Sequence, residues 1–331
     1  MKNRAENLFV TLAWLALSTL NPQFSTVFAQ GSLTPPGPPA PTMKTASQIE
    51  PRTLISSAPF VITNSGSYYL TTNLSVNLGN AIFISANQVT LDLNGFTISS
   101  TDGANLGSGI LLNNATNVDI TILNGHITSG VTNNGSGVFS GPGFAHGIWY
   151  SGGIPNNVRV TGVSVSGCLQ GGIIIGQNFS SVVESCSVST VGADGINADL
   201  VSRCSVNNCR SNGINAHIAS DCVASCVAGN GINVDIANNS YGNSTGGNGI
   251  FAIASANNSY GNSDASGDGI HAVTANNCNG SSFIGSGLTV TSSAIGCFGT
   301  SSGGDGINAF IANSCSVGFG AAAINYKYNM P

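Results

Sequence analysis

The chain has 331 residues, of which 6% are charged and 41% hydrophobic, with 44 glycines and a formal net charge of −5. An average globular domain is roughly 25% charged, and disordered chains are highly charged and weakly hydrophobic, so this composition argues for a turn-rich β fold. Eight Lys and Arg residues in the whole chain leave no basic stripe on which nucleic acid could dock.

Lys2 and Arg4 precede the apolar run Leu8–Leu17, and Val27 and Ala29 stand at −3 and −1 before Gln30. That pattern predicts a secretory signal peptide over 1–29, with an apolar run too short to span a membrane. No later stretch is long and apolar enough to cross a bilayer, so the expected product is secreted or held at the cell surface. Residues 30–59 are rich in proline and predict an extended leader. β-type alternation starts at Phe60, and 60–331 are expected to form one domain.

Within that domain a short phrase, Gly followed by an aliphatic residue, recurs. It falls at Gly195, Gly213, Gly231, Gly249, Gly269, Gly287 and Gly306, with spacings of 18, 18, 18, 20, 18 and 19. Looser copies at Gly109, Gly147 and Gly172 are separated by 38 and 25 residues, and the last lies 23 before Gly195. A period near 20 built from β-alternating text, Gly and Asn is the signature of stacked solenoid coils. Stepping by six from Ile196 meets Ser202 and Asn208, so the left-handed hexapeptide pattern is absent. Irregular upstream coils and the handedness of parallel crossovers favour an all-β, right-handed parallel β-helix. Its coils run about 18 residues in the C-terminal half and longer in the N-terminal half.

In each coil Ile196, Ala198 and Leu200 are expected inside and Asn197 and Asp199 outside; the next coil repeats this with Ile214, Ala216 and Ile218 against Asn215 and His217. The Asp or Asn before each Gly is expected to mark a corner with left-handed backbone angles. Nine cysteines preclude complete intramolecular pairing. Cys186, Cys204, Cys222, Ser240, Ser259, Cys278, Cys297 and Cys315 share one place in the repeat and predict a buried column of small side chains. Cβ atoms held at the rung spacing fit a relaxed disulfide poorly. Cys168, Cys209 and Cys226 fall off that column and are the candidates for any bridge.

The leader text "LTPPGPPAPTMKTASQIEPRT", "GSYYL" at Gly66 and "VTLDLNGFTI" at Val89 resemble the opening of a group of exported bacterial right-handed parallel β-helix repeat proteins with a pectin-lyase-like fold. The units "ANNSYGNS" and "ANNCNGSS" are similar to that group's repeats. The resemblance implies the fold. It implies little about activity, since most of the group has none assigned and a fold does not fix a function.

Following the outward positions coil by coil brings Asp199, His217 and Asp235 onto adjacent rungs. A His between two carboxylates is a candidate acid or base for a polysaccharide lyase or glycoside hydrolase of this fold. Against that reading, Arg159, Arg203 and Arg210 lie outside these columns, and the paired-acid and Gly-His-Gly signatures of polygalacturonases are missing. Asn197, Asn215 and Asn233, with Tyr241 and Tyr260 in matching "SYGN" units, are instead the residue types of a sugar-binding surface. The leading expectation is therefore a non-catalytic extracellular module that engages glycans or partners along its strand faces. No cofactor is expected. "GGDGINAFI" at Gly303 misses the calcium-roll carboxylate at Asn308, which leaves at most a single calcium ion on Asp199 and Asp235.

Overall fold

The computed structural model describes residues 50–113, 118–152, 155–177 and 180–330, so the expected signal peptide and most of the proline-rich leader lie outside the described residues. Pro51–Pro331 form one compact unit. It is a parallel β-helix of about 14 turns with about 19 residues per turn, consistent with the right-handed form. Among the described residues the one antiparallel pair is the small hairpin of Thr132–Asn133 and Phe139–Ser140. The paired backbone begins ahead of Phe60, because Thr53–Ile55 already pairs with Tyr68–Leu70.

Each turn has three faces. Face A carries the Gly-aliphatic phrase, as in Ile196–Ala198; face B follows, as in Leu200–Ser202; face C closes the turn, as in Ser205–Cys209. From Ile232–Asn238 onward faces A and B merge into one bent strand.

The interior narrows toward the C-terminus, and the register shows how. Face A keeps the same inward residue from Ile82 through Ile110, Ile148, Ile173, Ile196, Ile214, Ile232, Ile250 and Ile270. On face B the inward column shrinks from Leu91 and Ile122 through Val160, Val183 and Val201 to Ala219 and Ala237. On face C it falls further, from Ile98 and Ile127 through Val165, Val188, Val206 and Ala224 to Gly242, Gly261, Gly280 and Gly299.

The recurring Gly is explained by this closure and not by left-handed angles, for which Gly195, Gly213 and their equivalents show no need. A Cβ on Gly195 would stand 2.3 Å from Val206 across the interior, and one on Gly213 2.8 Å from Ala224. Where face C has shrunk to Gly, the backbones themselves meet: a Cβ on Gly261 would lie 2.0 Å from the Gly269 carbonyl oxygen.

Each corner satisfies its backbone differently. At the A/B corner one carbonyl serves two donors, Asp199 O accepting from His217 N and Ile218 N at 3.0 Å each. At the C/A corner Asp194, Asn212, Asn230, Asn248 and Asp268 each accept the backbone N–H of their counterpart one rung on, at 2.7–3.0 Å. The B/C corner is left-handed on every one of these rungs, Ser185, Arg203, Asp221, Asn239, Asn258, Asn277 and Ser314 all having φ between 48° and 55°; Thr190 and Asn208 within face C share that conformation.

Immediately after each B/C corner residue stands the Cys/Ser column. Cys222 N donates to Ser240 Oγ and Ser240 N to Ser259 Oγ, both at 3.2 Å, so the column supplies the acceptor that the corner removes. Cys168, Cys209 and Cys226 belong to a second column, register-matched through Val191 and continued by Ser244, Ser263, Ser282 and Ser301. All nine cysteines are free and buried, and burial pushes the Cys168 thiol up to about 12.

Two outcomes follow. Gly261→Ala should destabilise by about 2 kcal/mol or more, because backbone cannot rotate away from the new methyl; Gly103→Ala, with nothing within 4 Å, should be near neutral, as read by denaturant midpoints. The native protein should also resist thiol-specific reagent until unfolded, and its melting temperature should not change on adding reductant.

Candidate functional site

Two corners gather polar side chains, and they lie on different edges of the solenoid. The first is the A/B corner. Asp199, His217 and Asp235 do fall on three successive rungs, since Leu200, Ile218 and Ile236 stack in register directly after them. The expected alternation inverts here: Asp199 is 2% exposed and Leu200 is 44% exposed. Ile218 likewise sits half-buried and not in the core. The strand ends after Ala198 to turn the corner, which rotates Asp199 inward and Leu200 out.

Asp199 is heavily bonded. Its Oδ2 accepts the backbone N–H groups of Ser180 and of Ser181 (2.8 Å), with the Ser181 hydroxyl 3.2 Å away. Its own N–H donates to Ser181 Oγ at 2.8 Å. Oδ1 pairs with His217 Nδ1 at 2.9 Å. A carboxylate so placed fixes the imidazole's orientation and favours a proton on Nδ1. No hydrogen bond to the Asp235 carboxylate is seen among the described residues. The three rungs line a shallow depression of about 290 Å³, with Leu200, Ile218 and Ile236 as its apolar side. A calcium ion shared by Asp199 and Asp235 would have to displace these donors, and no group of three or more His, Cys, Asp or Glu positioned for a metal occurs among the described residues.

The upstream loops over 101–109 and 132–144 do not wall this corner. Both connect face C to face A, where Asn105 Nδ2 ties one to the other through Gly141 O and Gly143 O at 3.0 and 3.1 Å. Two of the three coil arginines are committed elsewhere: Arg159 and Arg203 both pair with Glu184.

Asn197, Asn215 and Asn233 run along face A beside this corner. Asn215 Oδ1 accepts from Asn233 Nδ2 at 2.8 Å and from Gln177 Nε2 at 3.3 Å. The column continues as Phe251 and His271, stacked at 5.2 Å, and His271 Nδ1 pairs with Asp268 Oδ2 at 3.0 Å. Sequence reasoning passed over this second His–Asp pair because Asp268 was assigned only to a turn. Burial acts to raise the Asp268 pKa, but the His271, Ser286 and Thr289 hydrogen bonds outweigh it and hold the carboxyl below its usual 3.8.

Tyr241 and Tyr260 are not part of that surface. They belong to face C at the B/C corner, ring centroids 5.2 Å apart and planes within 6°. Beside them runs an amide ladder in which Asn239 Nδ2 donates to Asp221 Oδ1 (3.2 Å), Asn258 to Asn239 and Asn277 to Asn258 (both 3.4 Å). A second ladder on face B links Asn276 to Asn257 and Asn257 to Asn238 at 2.9–3.0 Å. Tyrosines and corner amides line an open groove of about 500 Å³.

No family model matches the chain, and no curated protein matches it. Among solved structures it is similar to one described as "Crystal structure of Dettilon tailspike protein (gp208)", at 14% identity over 83% of this chain and 61% of that one, with a TM-score of 0.32. The chain thus spans less than two thirds of that protein's length, and a likeness of this size carries no argument about activity.

The Asp268 carboxyl has a testable consequence. A folded pKa below the unfolded one contributes stability above the unfolded value of 3.8 and loses it as pH falls through the folded value. Asp268→Asn should therefore lower the melting temperature at neutral pH, and the gap to wild type should close as the pH falls below the unfolded value of 3.8.

Proposed function

We propose that the chain is an extracellular, non-catalytic module binding a neutral, extended glycan along the B/C groove. The observation that carries this reading is the parallel Tyr241–Tyr260 pair set against the Asn239–Asn258–Asn277 amides in an open groove. Aromatic side chains offer apolar contact for the C–H face of a sugar, and amides offer both donor and acceptor to hydroxyls. Asn239 and Asn258 each use one N–H and one oxygen lone pair along the stack, which leaves the second N–H and second lone pair for a ligand. The groove opens at the side and runs across rungs, so it suits a chain lying along the helix axis better than a compact ligand.

Charge selects within glycans. Asp221 lines the groove and Asp264 is bonded to Asn262 on the same face, with no Lys or Arg beside the tyrosines. A uronate or sulfated polymer would meet like charge here. Export rests on the signal-peptide pattern of 1–29 and is part of the same proposal. A lyase or glycosidase centred on Asp199, His217 and Asp235 gains less support: Asp199 is already bonded to His217 and to the Ser180–Ser181 backbone. Only Asp235 then remains of the two carboxylates that glycoside cleavage uses.

Binding of neutral and uronic oligosaccharides by calorimetry or glycan array tests the reading. Neutral chains should be retained, and Tyr241→Ala and Tyr260→Ala should each weaken binding about tenfold, on the order of 1.4 kcal/mol. Retention of uronates in preference to neutral chains, or unchanged binding in the double variant, would remove it.

A further inference from the structure

We infer that the A/B corner is a self-association surface, along which two copies of this chain pack side by side and run in opposite directions. The inference does not depend on glycan binding, because Tyr241 and Tyr260 lie at another corner and stay uncovered.

The first outward column of face B changes character along the solenoid. On upstream rungs it is Thr90, Thr121 and Arg159, and after Val182 it becomes Leu200, Ile218 and Ile236, each in register with the one before. At the next rung Asp235 stands opposite both Ile253 and Ala254, and this bulge moves the apolar position one residue toward the corner. It continues there as Val273 and Phe310 with Thr291 between them, and the Phe310 ring meets Tyr326 edge-on at 5.3 Å. Threonine and arginine serve upstream, so the fold does not require an apolar side chain at this place. Yet Leu200, Ile253, Val273, Phe310 and Tyr326 are each 41–61% exposed.

Size and shape select the occupant. The stripe covers about eight rungs, or ~34 Å at about 4.8 Å per rung. At those exposures the five side chains present on the order of 500 Å² to solvent, the size of patch that marks an interaction site. Half-buried Ile218, Ile236 and Ile311 and a polar rim bring this to roughly the 800 Å² per partner that a stable complex buries. A long, rigid stripe of stacked rungs is matched in length and shape by its own copy.

Charge selects the direction. Asp199, His217 and Asp235 occupy the corner on the upstream rungs, whereas Ile253, Val273, Thr291 and Phe310 occupy it downstream and carry no charge. Two copies running the same way would set each Asp235 against its own counterpart. Running oppositely, about a two-fold axis between the Ile253 and Val273 rungs, they set Asp235 of one against Thr291 of the other, whose hydroxyl can donate to it. Ile253 then meets Val273, and Leu200 meets Tyr326. A two-fold contact uses the same patch on both copies and closes, so assembly stops at two.

Sedimentation velocity of the purified full-length protein across micromolar concentrations reads the assembly, and a dimer is expected. Ile253→Glu and Val273→Glu should each raise its dissociation constant at least about tenfold, with circular dichroism as the fold control. Leu106→Glu, at an exposed leucine on the loop joining faces C and A, should leave the dimer intact. The native thiols are buried, so an introduced surface cysteine is the one that reacts. Leu200→Cys and Tyr326→Cys should each give no covalent dimer alone and a cross-linked pair when mixed. Four results overturn the inference: a monomer throughout, a dimer that persists in the Ile253→Glu/Val273→Glu double variant, an open series of larger species, or Leu200→Cys cross-linking to itself. Glycan retention is read separately on Tyr241 and Tyr260.

Discussion

The constraint on which everything else rests is the closeness of faces A and C at the inside of their corner. Opposite each Gly of face A stands an inward residue of face C, and their sizes trade against each other. With Val206 across the gap, the Gly195 hydrogen is already all the space allows. With Gly261 there, the chain closes until carbonyl oxygen stands where a Cβ would be. Because every turn of the C-terminal half obeys the same limit, those turns have nearly one size and stack in register. Register is what turns residues 18 or 19 apart in sequence into neighbours, and so makes every ladder on the surface.

Stacking also explains the scarcity of charge. Any residue type that recurs at one place in the repeat is set above itself at about 4.8 Å. A recurring charge would meet its copy on both sides, whereas a recurring amide bonds to its copy. Asn238, Asn257 and Asn276 form such a chain, as do Asn239, Asn258 and Asn277. Charges survive where neighbouring rungs offer the opposite sign from an adjacent column, as at Glu184 between Arg159 and Arg203. The same logic favours thiols and hydroxyls inside: each is small and can both give and take one hydrogen bond along the column.

The period, the parallel stacking and the first Cys/Ser column could be derived from spacing, because each is a property of repetition. What spacing could not supply was the direction of individual corner residues. Strict alternation put Asp199 outside and Leu200 inside, and the turn of the chain after Ala198 reverses both. Asp-Gly and Asn-Gly are the familiar signal for left-handed backbone, yet it falls instead at the residue before the Cys/Ser column, where Ser185 and Arg203 are no such signal. Asn197 and Tyr241 looked alike as polar outward residues but occupy different faces, since nothing in a repeat's text says how many corners separate two positions. The His271–Asp268 pair was hidden for a related reason: its members are three residues apart across the C/A corner.

Face C bears on whether the B/C surface exists for the fold or for a ligand. Where its inward residue is Val206, the outward neighbours are Ser205 and Asn207; where it is Ala224, Val223 is outward and exposed. At Gly242 and Gly261 the outward residues are Tyr241 and Tyr260, at Gly280 it is Asn279, and at Gly299 it is Phe298. Apolar volume thus leaves the interior and reappears on the surface over three of these four rungs. A fold under selection for stability alone would keep that volume inside, where each methylene removed from water contributes about 0.8 kcal/mol. Holding it outside forgoes that gain, and on a nearly uncharged surface it invites association. The proposed glycan reading accounts for this placement: the rings would meet the C–H face of a sugar, and the neighbouring Asn239–Asn258–Asn277 amides its hydroxyls.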